Sequence, residues 1–232
     1  MLDVWKSPSK LWHPRTMSKS PHDSRLVSVN QLLLGSTSPF RRKLLEASGV
    51  AFGAAAPNVD EAAISADRAE TLAMARAIAK ARAVAAAHPG ALVIGGDQVL
   101  GLDGKTFDKA QTAGEARERL RLFAGRTHHL HSAVALAYGD RLVHEELVSV
   151  AMPMRRLSEA ELDAYVATGE WRGSVGCYQY EHRGVHLFSG VRGDQSAIVG
   201  LPLQELLAAL RALGLDALVK PEPPWTIRLP LS

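Results

Sequence analysis

A single cysteine, Cys177, stands in 232 residues. That scarcity excludes an internal disulfide framework and a cysteine-rich zinc site, and a reducing cytoplasm is the expected compartment. No apolar run approaches the roughly 20 residues that a spanning helix needs. Residues 1–27 also lack the apolar stretch of a secretory signal. Excess charge of either sign is small: 27 Lys and Arg against 24 Asp and Glu leave a net charge of +3. A dedicated nucleic-acid binder concentrates basic residues far more strongly, so a small anionic ligand suits this balance better. No sequence repeat is present. What remains, 47% hydrophobic and 22% charged, is an ordinary globular chain long enough for a real core.

The two ends differ from the middle. Residues 1–27 mix Trp5, Trp12, prolines and scattered polar residues without periodicity, and are read as a disordered leader, with Met17 as a possible later start. An arm that docks on a partner is the rival reading. The stretch from Lys220, Pro-Glu-Pro-Pro-Trp, marks residues 217–232 as an irregular tail, leaving 28–216 as a single domain.

Between these ends the punctuation is clear. Ser38-Pro39 opens a helix that Gly49 closes, and Asp67 with Glu70 opens an alanine-rich helix ended by His88-Pro89-Gly90. The run Ala91–Ile94 is a buried strand leading into Gly95-Gly96-Asp97-Gln98, with a hairpin-like turn from Gly101 to Gly104. Thr112 with Glu115 and Ser158 with Glu161 cap two more helices, Gly139-Asp140 turns a strand pair, and Pro202 begins a last helix closed by Gly214. Irregular alternation of strands and helices predicts an α/β or α+β domain.

Chemistry concentrates at a few places. Residues 32–45 read as strand, small-residue turn and helix start with two arginines. Backbone N–H groups at the helix N-terminus, the Ser36 hydroxyl and Arg41 can converge there on a phosphate, the alternative being an ordinary capped helix. Asp60-Glu61 in a loop and Asp97 at a strand end are candidate Mg²⁺ ligands, because hard divalent cations in phosphate enzymes take one or two carboxylates plus the phosphates. For Asp97 a functional role outweighs an Asx turn, since four hydrophobic residues precede it and a charge there is costly unless employed. Lys80 and Lys109 can each place a point charge on a phosphate, though either taken alone reads first as a surface lysine. His129 and His131 fall on one strand face; with no third ligand nearby, that face is read as partly exposed rather than as a zinc site.

Taken together, Leu34-Gly-Ser-Thr-Ser-Pro-Phe-Arg-Arg42, Val59-Asp-Glu61, Ala79-Lys-Ala81, Val93-Ile-Gly-Gly-Asp-Gln-Val99, Asp108-Lys109, Leu122-Phe-Ala-Gly-Arg-Thr-His128 and Val199-Gly-Leu-Pro-Leu203 resemble the Maf proteins in content and order. The resemblance spans residues 30–214. It implies a Maf/ITPase-like mixed α/β (α+β) fold, with a central mixed sheet and two lobes around a cleft. It further implies homodimers, a divalent cation (Mg²⁺, with Mn²⁺ or Co²⁺ as alternatives), and hydrolysis of a nucleoside triphosphate to monophosphate and pyrophosphate. Position by position, Asp97 matches the catalytic carboxylate, Glu61 the metal-associated acid, and Ser36, Arg41, Lys80 and Lys109 the residues that hold the triphosphate. Phe40, Gln98 and Glu181 resemble the branch that acts on 7-methyl-GTP, which makes physical sense: an aromatic face attracts the cationic methylated base, and a carboxylate accepts from N1–H and the exocyclic amine. Gln179 is the rival to Glu181 and would favour a pyrimidine, as in dTTP/UTP pyrophosphatases. The resemblance leaves a non-catalytic, nucleotide-binding division regulator as the alternative outside enzymology. The expected partner is a small nucleotide, without a stable nucleic-acid complex or a membrane.

Overall fold

The computed structural model describes residues 24–230. The proposed leader lies outside the described residues except for its last four positions. Those four begin β1 (Ser24–Val29), which pairs antiparallel with β8 (Trp225–Pro230). Both end assignments are therefore corrected. The leader cannot extend through residue 27, and the tail is not irregular throughout. Trp225, Ile227 and Leu229 alternate with Thr226 and Arg228, and all three apolar side chains are buried in the core. This period of two is a strand signal that the preceding prolines obscured.

The main sheet has the order β3-β2-β4-β6-β7, with β5 also paired to β4. Its strands are β2 (Gln31–Gly35), β3 (Gly53–Ala55), β4 (Ala91–Leu102), β5 (Lys105–Phe107), β6 (Thr127–Tyr138) and β7 (Arg141–Pro153). Parallel pairs β2–β3 and β2–β4 adjoin antiparallel pairs β4–β5, β4–β6 and β6–β7. The fold is mixed α/β, as expected.

Helices cover both faces. On one side lies α2 (Ala69–Ala87); on the other lie α1 (Pro39–Ala47), α5 (Gln195–Val199) and α6 (Leu203–Leu213). Along β4, Leu92 and Ile94 enter the core shared with α1 and α6, while Ala91 and Val93 enter the core under α2. Farther along, Leu100 and Leu102 join a third core with α3 (Ala113–Phe123) and α4 (Glu159–Ala167), the second lobe. One strand thus serves both lobes. The residues between these cores fall at the boundary.

The caps expected at Ser38, Thr112 and Ser158 form, and at Ser158 both arms of the capping box are made. The start of α2 differs: its N-cap is Arg68, which makes no side-chain cap bond and instead pairs with Glu70 at 2.9 Å. No helix among the described residues is long and apolar enough to cross a membrane.

Candidate active site

β4 is a continuous strand of 12 residues, so Asp97 lies within it rather than at its end. The reason is β6, which pairs with β4 from Leu92 through Gly101. The other edge is interrupted: β2 pairs as far as Gly95, and β5 resumes at Leu100. A cleft of about 350 Å³ opens at that interruption, lined by residues of both lobes. This is where a site is expected in a sheet with parallel strands, beyond the carboxyl end of β2.

Alternation along β4 divides the chemistry between the two faces of the sheet. Asp97 points to the α2 side, where its Oδ1 accepts from Lys80 Nζ at 2.6 Å. The same ammonium lies 3.0 Å from Glu61 Oε2. Lys80 and Asp97 are each only 5% exposed, and an unpaired charge at that depth would be costly, so each requires the other. Asp97 Oδ2 is buried and has no hydrogen-bond partner among the described residues. It is the oxygen left for chemistry.

Gly95 explains how α2 comes close enough. A Cβ there would collide with the Ala77 carbonyl oxygen and stand 2.6 Å from the Ala81 nitrogen. Only hydrogen fits, and the helix backbone lies directly on the strand. Alanines on α2 and on the neighbouring strand β6, Ala73, Ala77 and Ala81 with Ala133, Ala135 and Ala137, pack in the same core and keep that approach tight.

Gln98 points to the opposite side. Its amide nitrogen donates to Ser132 Oγ at 2.9 Å and to the carbonyls of Ala197 and Ile198 at 2.9 and 3.0 Å. These acceptors fix the amide orientation and leave Oε1 as the atom with which Gln98 can meet a ligand. Arg41 stands on the same side. Its Nε donates to the Gly200 carbonyl at 2.7 Å, and its Nη1 to Ser36 Oγ at 3.2 Å.

Of the expected site residues, Phe40, Arg41, Glu61, Lys80, Asp97, Gln98, Lys109 and Glu181 all line this cleft. Ser36 does not. It is buried behind the wall, where its hydroxyl also accepts from the Ser38 amide at 3.2 Å, so it orients Arg41 and the helix start. Asp60 is likewise structural: it caps the short turn Glu61–Ala63 by accepting from the Ala62 amide at 3.1 Å. The rivals Gln179 and Glu181 are both on the wall.

Three positive groups converge. Desolvation holds the Lys109 ammonium below the usual lysine range, and repulsion from Arg41 and Lys80 adds to it. Burial likewise lowers Arg41, with Asp97 and Glu61 opposing the shift. Like charges gathered in one recess favour a polyanion that neutralises them.

Arg76 and Tyr178 also line the cleft and were not singled out from the sequence. Arg76 precedes Lys80 by four positions, one helical turn on the same face, and that spacing was the available signal. Tyr178 had none, because its place depends on a distant partner: its hydroxyl lies 2.7 Å from His128 Nε2.

His128, His129 and His131 on β6 divide as alternation requires. His128 is fully buried, whereas His129 and His131 stack across one strand face with ring centroids 6.0 Å apart. No group of three potential metal-binding His, Cys, Asp or Glu side chains occurs among the described residues. Nor is a Ser-His or Cys-His pair present in the cleft.

A mixed α/β sheet with one edge interrupted beside a buried carboxylate, and with cations around it, has the chemistry to receive a polyphosphate-like anion. Residues 31–213 match the family described as Maf-like protein, and the chain belongs to that family. Similar proteins include the "Nucleoside triphosphate pyrophosphatase" of Nitrobacter hamburgensis, 45% identical and covering 81% of this chain and 96% of that protein. The "7-methyl-GTP pyrophosphatase" of Rhizobium meliloti is 41% identical, covering 79% and 96%. The "dTTP/UTP pyrophosphatase" of Novosphingobium aromaticivorans is 39% identical, covering 80% and 93%.

Proposed function

We propose that this protein hydrolyses a nucleoside triphosphate to the monophosphate and pyrophosphate, with 7-methyl-GTP or a similarly modified purine nucleotide as substrate. The observation that carries the reaction is the buried Asp97 carboxylate, with one oxygen held by Lys80 and the other without a partner among the described residues. Oδ2 accepts the proton of the attacking water, while Lys80 fixes the orientation of the carboxylate. Arg41, Lys80 and Lys109 face the charge that spreads over the phosphate oxygens in the transition state. The net change is addition of water across one phosphoric anhydride bond.

Glu61, an acid on the same cleft wall, also fits a Mg²⁺ ion, which commonly uses one or two carboxylates and completes its shell with phosphate oxygens and water. Such an ion would be held by Glu61 and would supply charge neutralisation on the polyphosphate, leaving Asp97 Oδ2 to the water. Mn²⁺ and Co²⁺ are the alternatives.

For the base, Phe40 offers a half-buried ring beside Gly173, and Glu181 a carboxylate lining the same cleft. That pair suits a cationic purine with donor groups on its edge. Gln98 contributes an acceptor. The relatives carry names for both purine and pyrimidine substrates, so this pair of side chains is what favours the purine.

Pyrophosphate release from 7-methyl-GTP, GTP, dTTP, UTP and CTP with Mg²⁺ tests the reading. Preference for 7-methyl-GTP is expected. A preference for dTTP or UTP would keep the reaction and overturn the base assignment in favour of Gln179, and no release from any nucleotide would favour a nucleotide-binding regulator.

A further inference from the structure

Arg76 is not needed by the reaction as described, yet it occupies the same cleft as Lys80. Its side chain is 17% exposed, and its Nε is buried without a hydrogen-bond partner among the described residues. Among the described residues the only carboxylate paired with it is Asp108, whose Oδ1 is 4.0 Å from Arg76 Nη1 and whose side chain is 93% exposed. At that distance and exposure the pair is loose and well screened. Lys80, one turn away, is by contrast engaged by two carboxylates at 2.6 and 3.0 Å. A largely desolvated guanidinium with so weak a counter-charge is a standing electrostatic cost that an anionic ligand would relieve.

Its position indicates which part of the ligand it meets. α2 runs antiparallel to β4: a Cβ at Gly101 would sit 3.3 Å from Ala69 Cβ, and Gly95 lies against Ala77 and Ala81. Arg76 therefore lies on the Lys80 face of the sheet, displaced from Lys80 toward the second lobe and the Asp108-Lys109 segment. Gln98 and Phe40, assigned to the base, belong to the opposite face, where Gln98 bonds to α5 and Phe40 meets Gly173. Arg119 of α3 holds the Asp108 carbonyl and so fixes the segment facing Arg76.

We infer that Arg76 is a further substrate-binding residue that grips the terminal phosphates of the nucleotide, the part that departs as pyrophosphate, and exchanges its loose pairing with Asp108 for phosphate oxygens. The planar guanidinium suits two oxygens of a phosphate at once, which a lysine cannot reproduce. This rests on the triphosphate reading above.

The test is calorimetric binding of inorganic tripolyphosphate and of a nucleoside monophosphate to the wild-type protein, Arg76→Gln and Arg76→Lys, with thermal unfolding to verify that each folds. Loss of charge-assisted hydrogen bonds is expected to weaken tripolyphosphate by about 10- to 100-fold in Arg76→Gln. Arg76→Lys is expected to fall between, and monophosphate affinity to stay within about twofold. Equal weakening of both ligands, unchanged tripolyphosphate affinity, or no tripolyphosphate binding by the wild type would overturn the inference. Pyrophosphate release by the wild type, measured alongside, separates the two readings: turnover with an unaltered Arg76→Gln affinity removes only this residue's role, and absence of turnover removes the reaction.

Discussion

The two regions that flank the cleft are made of opposite materials. Under α2, alanines and Gly95 bring helix and sheet backbones into direct contact. In the second lobe Phe107, Phe123, Trp171, Tyr178 and Phe188 fill the core. His128 stacks on Phe123 with ring centroids 4.8 Å apart and bonds to the Tyr178 hydroxyl, behind the wall that carries Gln179 and Glu181. Small residues permit a short reach, so Lys80 meets Asp97 at full burial. Large rings instead back a loop, giving the segment from Gly173 to Glu181 a stiff support that helices and strands do not supply there. On the proposed reading the difference is a division of labour, with chemistry assigned to one wall and base reading to the other.

Breaking the chemical wall at its centre gives the largest effect. Asp97→Asn removes the carboxylate proposed to accept the water's proton, and turnover is expected to fall about 10³-fold with nucleotide binding retained. Steady-state rates and calorimetry measured together check this.

Next comes the contact that places Lys80. Gly95→Ala inserts a methyl group where Ala77 and Ala81 already stand, and overpacking of this kind costs about 1–3 kcal/mol or more. Urea unfolding reads the loss of stability, and activity should fall with it as α2 is pushed from β4.

The aromatic lobe is tested through pH. Burial holds the His128 imidazole at about 3, far below the ordinary 6.5, with a smaller contribution from His129. The folded state thus keeps it neutral while the unfolded chain protonates it, so stability is present above about pH 6.5 and is lost as pH falls toward 3. His131 and His144, also lowered by burial, act in the same direction. His128→Phe should make the acid-side loss shallower, while costing about 1–3 kcal/mol at neutral pH because the buried Tyr178 hydroxyl loses its partner. Urea midpoints between pH 4 and 7.5 measure both effects.

A smaller effect belongs to the edge of that lobe. Thr112 caps α3 by accepting from the Glu115 amide at 3.1 Å, and Thr112→Ala is expected to cost about 1 kcal/mol without altering the choice of nucleotide. Thermal unfolding and the nucleotide panel check the two halves of this statement.

Much of this was legible in the sequence because it is local. Ser38-Pro39 and the Ser158/Glu161 pair are signals complete within four residues, and the structure forms both caps. Most of the candidate site residues stand in an ordered set of motifs, Glu181 being outside it, and all but Ser36 line the cleft. What was hidden depends on partners far along the chain. Asp97 looked like a strand end because glycines precede it, and only pairing with β6 shows the strand continuing. β8 was masked by prolines and is recognisable from its pairing with β1. Tyr178 acquires its place from His128, 50 residues away. Arg76 was hidden differently: its spacing of four from Lys80 marks a shared helix face, but one arginine among many carries no mark of how deeply it is buried.

The separation of the two walls is tested most directly by Glu181→Gln, comparing kcat/KM across 7-methyl-GTP, GTP, dTTP, UTP and CTP with the wild type. A changed ranking is predicted, with 7-methyl-GTP losing most and the rate on the best remaining nucleotide preserved. A uniform fall on every nucleotide, with the ranking unchanged, would contradict the assignment of base reading to this wall.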